Sequence, residues 1–115
     1  MSHKGRKRKE AKRQARAVVF AALGDETRLL LVTRLSAGKP ASIAELTEGS
    51  SLTRQAITKH LRVLARAGIV RSRREGRESR FAFDPRPLDE LHDYLDRVSR
   101  RWDEALERLK ALVEE

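Results

Sequence analysis

Leu52-Thr53-Arg54-Gln55-Ala56-Ile57-Thr58-Lys59-His60-Leu61-Arg62-Val63-Leu64-Ala65-Arg66-Ala67-Gly68, followed closely by Arg71-Ser72-Arg73-Arg74-Glu75-Gly76-Arg77-Glu78-Ser79-Arg80, is the stretch whose reading decides the fold. Ile57, Leu61 and Leu64 recur at three- and four-residue intervals, so one side of a helix ending at Gly68 can dock on a core. The opposite side carries Arg54, Gln55, Thr58, Lys59, Arg62 and Arg66, which include four cations and no acid. Thr53 is the residue type that caps such a helix.

Working upstream, Ser42-Ile43-Ala44-Glu45 has the pattern of a capping box and opens a short helix from Ile43 to Thr47. Glu48-Gly49-Ser50-Ser51 follows as a turn. A short helix, a glycine-containing turn and a longer basic helix make a helix-turn-helix. The exposed side of the second helix suits a B-DNA major groove, with cations for phosphates and Arg or Gln for base edges. Arg54, Gln55, Thr58 and Lys59 are the predicted groove residues, Thr53 opens the same surface, and Arg62 and Arg66 are placed to meet phosphates. His60 has two readings, contact with the DNA backbone or packing at the helix edge.

Downstream, Ile69 to Arg73 and Ser79 to Phe83 read as two strands, joined by a turn at Glu75-Gly76-Arg77. Five arginines against two glutamates make this hairpin a basic wing. Arg73, Arg74 and Arg77 are its DNA candidates, and Arg77, beside the tip glycine, is the one best placed for a narrow minor groove. For Arg71 and Arg73 the plainer reading is non-specific phosphate contact.

The flanks complete the plan. Residues 1–9 are polar and basic without periodicity and read as a disordered arm. Its uses are three: a phosphate-binding tail, an extension of the first helix, or solubilising charge. A first helix runs from about Glu10 to Leu23, with Ala11, Ala15, Val18, Val19 and Ala22 along one side and Gly24 as its stop. Asp25 caps a second helix to about Ser36, with Leu29, Leu30, Val32 and Leu35 as core candidates.

After Pro85 and Pro87, residues Leu88, Leu91, Leu95, Val98, Trp102, Ala105, Leu109 and Leu112 are spaced 3, 4, 3, 4, 3, 4, 3. Such a seam packs along another helix. At 1.5 Å per residue the segment reaches roughly 42 Å, more than the preceding domain can cover. A second copy of this helix, or of the first, is the natural cover. Val18, Val19, Leu91, Leu95, Val98, Trp102 and Leu109 are therefore the predicted homodimer interface. Tyr94 and Trp102 could instead line an effector pocket there, but aromatic residues at such spacing more often form core. The expected organisation is an arm over 1–9, a winged helix-turn-helix domain over 10–87 and a C-terminal dimerisation helix over 88–115. The fold class is mainly α with a small β-hairpin.

Composition narrows the function. The 115 residues hold 26 Lys and Arg against 17 Asp and Glu, a net charge of +9 that favours a polyanionic partner. The charge is uneven: residues 1–16 carry net +7, residues 17–84 net +5 and residues 85–115 net −3. The absence of cysteine excludes disulfides, thiolate metal sites and cysteine nucleophiles. The longest apolar run, Ala17 to Leu23, is too short to span a bilayer, so no membrane partner is expected and a cytoplasmic location is expected. No nucleophile sits beside a base and no glycine loop could cradle phosphate, so an enzyme is not expected.

From Phe20 to Phe83 the chain resembles the ArsR/SmtB family of bacterial winged-helix repressors. Phe20-Ala21-Ala22-Leu23-Gly24-Asp25-Glu26-Thr27-Arg28-Leu29 is similar to the family's opening, with Glu26 where many members have proline. Thr53 to Leu61 is similar to its recognition helix, Leu64-Ala65-Arg66-Ala67-Gly68-Ile69-Val70 to the passage into the wing, and Arg73 to Arg77 to the wing tip. The resemblance implies a homodimer built from the first and last helices that represses by occluding a promoter. Thiolate sensors of the family carry cysteines where this chain has Ser42 to Thr47, which holds none. Zinc sensors use Asp and His pairs on the last helix; here His92 stands alone between Asp89 and Asp96. No metal and no cofactor are therefore expected, and no small-molecule effector is identified. The function read from the sequence is a homodimeric regulator, a repressor, specific for a palindromic double-stranded DNA operator. The alternative is a non-specific nucleic-acid binder, associated with the nucleoid or with RNA.

Overall fold

Three helices start at the residues whose side chains can replace a missing backbone partner. Asp25 accepts from the backbone N–H of Arg28 at 3.0 Å, Ser42 from that of Glu45 at 3.2 Å, and Thr53 from that of Ala56 at 3.1 Å. In the computed structural model, which describes residues 3–114, the elements are α1 (His3–Leu23), α2 (Glu26–Ala37), β1 (Ala41–Ser42), α3 (Ile43–Thr47), α4 (Arg54–Arg66), β2 (Val70–Glu75), β3 (Glu78–Phe83) and α5 (Arg86–Glu114).

The core forms where α4 sets its apolar side down. Ile57, Leu61 and Leu64 are buried together with Leu31, Val32 and Leu35 of α2, Leu46 of α3, and Ile69 and Val70 at the entry to the wing. α4 ends in a Schellman arrangement. The Ile69 N–H donates to Leu64 O and the Gly68 N–H to Ala65 O, both at 3.0 Å. Gly68 has φ +77°, and a Cβ there would lie 3.5 Å from Pro87 Cγ, an ordinary contact. The backbone, not space, thus demands glycine. Gly68→Ala is expected to lower stability by about 1–2 kcal/mol, the penalty for a left-handed L-residue. Urea unfolding measures it; an unchanged midpoint would mean that the helix end relaxes freely.

The wing is a three-stranded antiparallel sheet in the order β1-β3-β2 rather than a two-stranded hairpin. β3 is central, pairing Phe81 with Ala41 on one side and with Ser72 on the other. β1 escapes sequence reading because two residues display no period, and Ser42 is at once its last residue and the cap of α3.

Two helix starts differ from expectation. α1 begins at His3, so residues 3–9, expected as a disordered arm, continue the first helix; Met1 and Ser2 lie outside the described residues. Lys and Arg are good helix formers and extend a helix that no apolar stripe marks. α5 begins at Arg86, with Asp84 accepting from the Arg86 N–H at 3.1 Å. Pro87 is tolerated in that first turn, where no intrahelical donor is needed.

The outer parts of α1 and α5 leave the core. The radius of gyration is 19.0 Å, against about 13 Å for a compact chain of this length. Val19 and Leu91, expected at a dimer interface, are instead 6% and 5% exposed in the chain's own core. A heptad seam reports that a face is apolar without naming what covers it. Leu88 packs half-buried against that core and Val98 is half-buried, but the rest of the large seam residues are open: Leu95 is 49% exposed, Trp102 67%, Leu109 57% and Leu112 72%. Leu106 and Val113, outside the predicted seam, widen the same stripe.

Candidate nucleic-acid interface

The side of α4 opposite the core presents Arg54, Gln55, Lys59, Arg62 and Arg66, all exposed. Because Ile57, Leu61 and Leu64 are almost wholly buried, the helix cannot roll, and this face is fixed relative to the domain. Thr53 is exposed beside it, but its oxygen is engaged as the cap of α4. Its hydroxyl hydrogen and one lone pair remain for a ligand. Thr58 is half-buried and donates its hydroxyl to Arg54 O at 2.7 Å, so it is not a free donor.

His60 takes the second of its two readings. Its Nδ1 lies 3.2 Å from Arg28 Nη1 and 3.7 Å from Asp25 Oδ2, with the side chain 22% exposed. Arg28 has only donors, so Nδ1 accepts. Arg28 is the functional side chain that spacing alone does not single out, although Thr27-Arg28-Leu29 belongs to the opening that resembles the family's. Its guanidinium donates to the carbonyls of Ala21 and Ala22 in the last turn of α1 and reaches His60 as well. One cation thus caps α1 and ties α4 to the α1–α2 joint. The Arg28 backbone N–H holds the Asp25 carboxyl below its ordinary pKa, helped by the Arg28 side chain and opposed by partial desolvation.

The wing arginines divide by partner. Arg71 donates to Asp84 at 2.9 Å, and Arg86 holds the same carboxylate at 2.7 Å, so Arg71 is paired at the wing root while its side chain stays 67% exposed. Arg80 draws in Glu45 at 2.9 Å, Glu75 at 3.2 Å and Glu78 at 3.6 Å, fastening the wing to the start of α3. The Ser42 hydroxyl, and after it Arg80, keeps the Glu45 carboxyl below its ordinary pKa. Arg73 lies 3.3 Å from Glu75 but is still 82% exposed. Arg74 and Arg77 are exposed and, among the described residues, in no ion pair. Glu75 and Glu78, which dilute the wing's charge in the sequence, both reach Arg80, and Glu75 reaches Arg73 as well, so neither pairs with Arg74 or Arg77.

On α5, His92 lies 4.0 Å from Asp93, and both are largely exposed. Tyr94 is half-buried, edge-on to Phe20 with ring centroids 6.1 Å apart, and the Arg16 guanidinium sits 4.0 Å above its ring. It packs within the chain, unlike the exposed Trp102. Among the described residues no helix is long and apolar enough to cross a membrane.

Known proteins share this arrangement. The model of a helix-turn-helix domain family matches residues 23–73. The HTH-type transcriptional regulator Rv2034 of Mycobacterium tuberculosis is 36% identical over 95 residues, covering 83% of this chain and 85% of its own. The uncharacterized HTH-type transcriptional regulator YuzN of Bacillus subtilis is 43% identical over 79 residues, 64% of this chain and 86% of its own. In three dimensions, an ArsR-like transcriptional regulator from Rhodococcus sp. RHA1 superposes with a TM-score of 0.76 at 35% identity, covering 89% of this chain and 95% of that one. With the helix-turn-helix, the basic wing and the long last helix all in place, the chain belongs to the ArsR family of DNA-binding winged helix-turn-helix transcriptional regulators.

Proposed function

We propose that the protein is a homodimeric repressor that recognises a specific double-stranded DNA operator and acts on the chromosome in the cytoplasm. The observation that carries this reading is the locked, outward cationic face of α4, Arg54, Gln55, Lys59, Arg62 and Arg66, beside a wing tip where Arg74 and Arg77 form no ion pair among the described residues. Its chemistry is binding, and no residue is assigned a catalytic role. The uncovered apolar stripe of α5 supports a second copy as its cover. Two α4 helices then enter successive major grooves about 34 Å apart, so the operator is an imperfect palindrome. Occupying a promoter in this way blocks transcription.

A second reading, a non-specific nucleic-acid binder, draws on the basic run in α1. Selection of bound genomic fragments by the purified protein separates the two. A recovered palindrome bound at least about 10³-fold more tightly than scrambled DNA supports the repressor. Equal affinity for all fragments overturns it.

A further inference from the structure

The first two turns of α1 hold Lys4, Arg6, Lys7, Arg8 and Lys9 and no acid; Lys12, Arg13 and Arg16 continue the run past Glu10. This charge does nothing for the helix. Like charges three and four residues apart repel each other, and cations near a helix start oppose its dipole. Nor does it serve the core, since apart from Gly5 every side chain from His3 to Ala15 is exposed. Arg16 sits over the Tyr94 ring, but among the described residues no ion pair engages Lys4, Arg6, Lys7, Arg8, Lys9, Lys12 or Arg13.

Placement and charge say which kind of anion fits the row. Lys12 and Arg16 line a groove of about 730 Å³ together with Arg66 in the last turn of α4 and Arg71 at the wing root. Asp84, Glu90 and Asp93 line the groove too, so the run borders the surface proposed to meet DNA chiefly through Arg66. From Lys4 to Arg16 it extends roughly 18 Å at 1.5 Å per residue. A small anion needs converging donors, whereas a row of this length matches a polymer carrying one charge per about 1.7 Å of duplex axis. The acidic last helix of a second copy is the other anion available. Residues 85–115 carry net −3, however, against net +7 over residues 1–16, so the charges of the two segments do not cancel.

We propose that the basic half of α1 is a third DNA-contacting element, a helical rail along the phosphates that flank the segment read by α4 and the wing. This rests on the repressor reading, and the test separates the two. The full-length protein is compared with a variant in which Lys4, Arg6, Lys7, Arg8 and Lys9 are all replaced by Gln, which keeps helix propensity. Affinity for the selected fragment and for scrambled DNA is measured across a salt series, and dimer dissociation by sedimentation. Each phosphate that the variant no longer neutralises takes about 0.9 off the salt slope. The expected result is a slope shallower by about two units or more, with the preference for the selected fragment kept. An unchanged slope and affinity overturn the proposal, as does a weaker dimer with an unchanged slope, which would assign the row to the partner's α5. A wild-type protein without preference for any fragment defeats the repressor reading instead, and the slope difference on scrambled DNA still decides the role of α1.

Discussion

Replacing Trp102 and Leu109 together by Glu is expected to convert the protein to a monomer and to weaken operator binding by about 10²- to 10⁴-fold, the range forfeited when two linked sites become one. Neither side chain is in the chain's own core: they are 67% and 57% exposed. In a dimer joined along α5, the pair of substitutions places four carboxylates in an apolar seam. Each wild-type side chain buried there contributes about 1.5–3 kcal/mol. Each carboxylate buried without a partner costs several kcal/mol. Both effects oppose association along this stripe. The domain itself is expected to stay folded, because α5 is held to the core by Leu91, which is 5% exposed, well before position 102. Sedimentation reads the association state, NMR amide dispersion the fold and gel shift the affinity. A variant that remains dimeric and binds normally would place the dimer contact elsewhere.

What is legible in the sequence is whatever short-range spacing encodes. Asp25, Ser42 and Thr53 announce helix starts because a cap and its N–H lie three residues apart, and all three do cap their helices. Ile57, Leu61 and Leu64 announce a buried face for the same reason. Most of what stays hidden has one cause, since partners distant in the chain leave no local trace. His60 meets Arg28 across 32 positions and Arg80 meets Glu45 across 35, so spacing reveals neither the engaged histidine nor the sorting of wing arginines into anchors and free cations. Val19 and Leu91 carry the right pattern for an interface and are claimed by the core instead. The early start of α1 is hidden differently. Its first turns are helical by propensity and fully polar, which in a sequence looks the same as a solvated tail.

The face of α4 makes a sharper demand than the dimer does. Arg54→Ala and Lys59→Ala are each expected to weaken binding to the selected operator by about 1–3 kcal/mol, roughly 5- to 150-fold, and to relax the preference at one base position. Both side chains are exposed, and Ala is the best helix former, so the substitutions leave folding alone. Arg62→Ala and Arg66→Ala, further along the helix, are expected to act differently, weakening all DNA alike and lowering the salt slope by about one unit each. His60→Ala supplies a contrast of a third kind. It removes the contact with Arg28 and Asp25 that ties α4 to the α1–α2 joint, so it is expected to lower the unfolding midpoint before it alters base preference. Affinities measured on the operator and on a set of single-base variants distinguish these patterns, with urea unfolding run in parallel. The groove assignment requires base-position effects confined to the first half of α4 and uniform effects from the second. If Arg54→Ala and Lys59→Ala both bind the operator normally, this face does not read the bases, and the wing tip and the rail of α1 would be left to hold DNA by its phosphates alone.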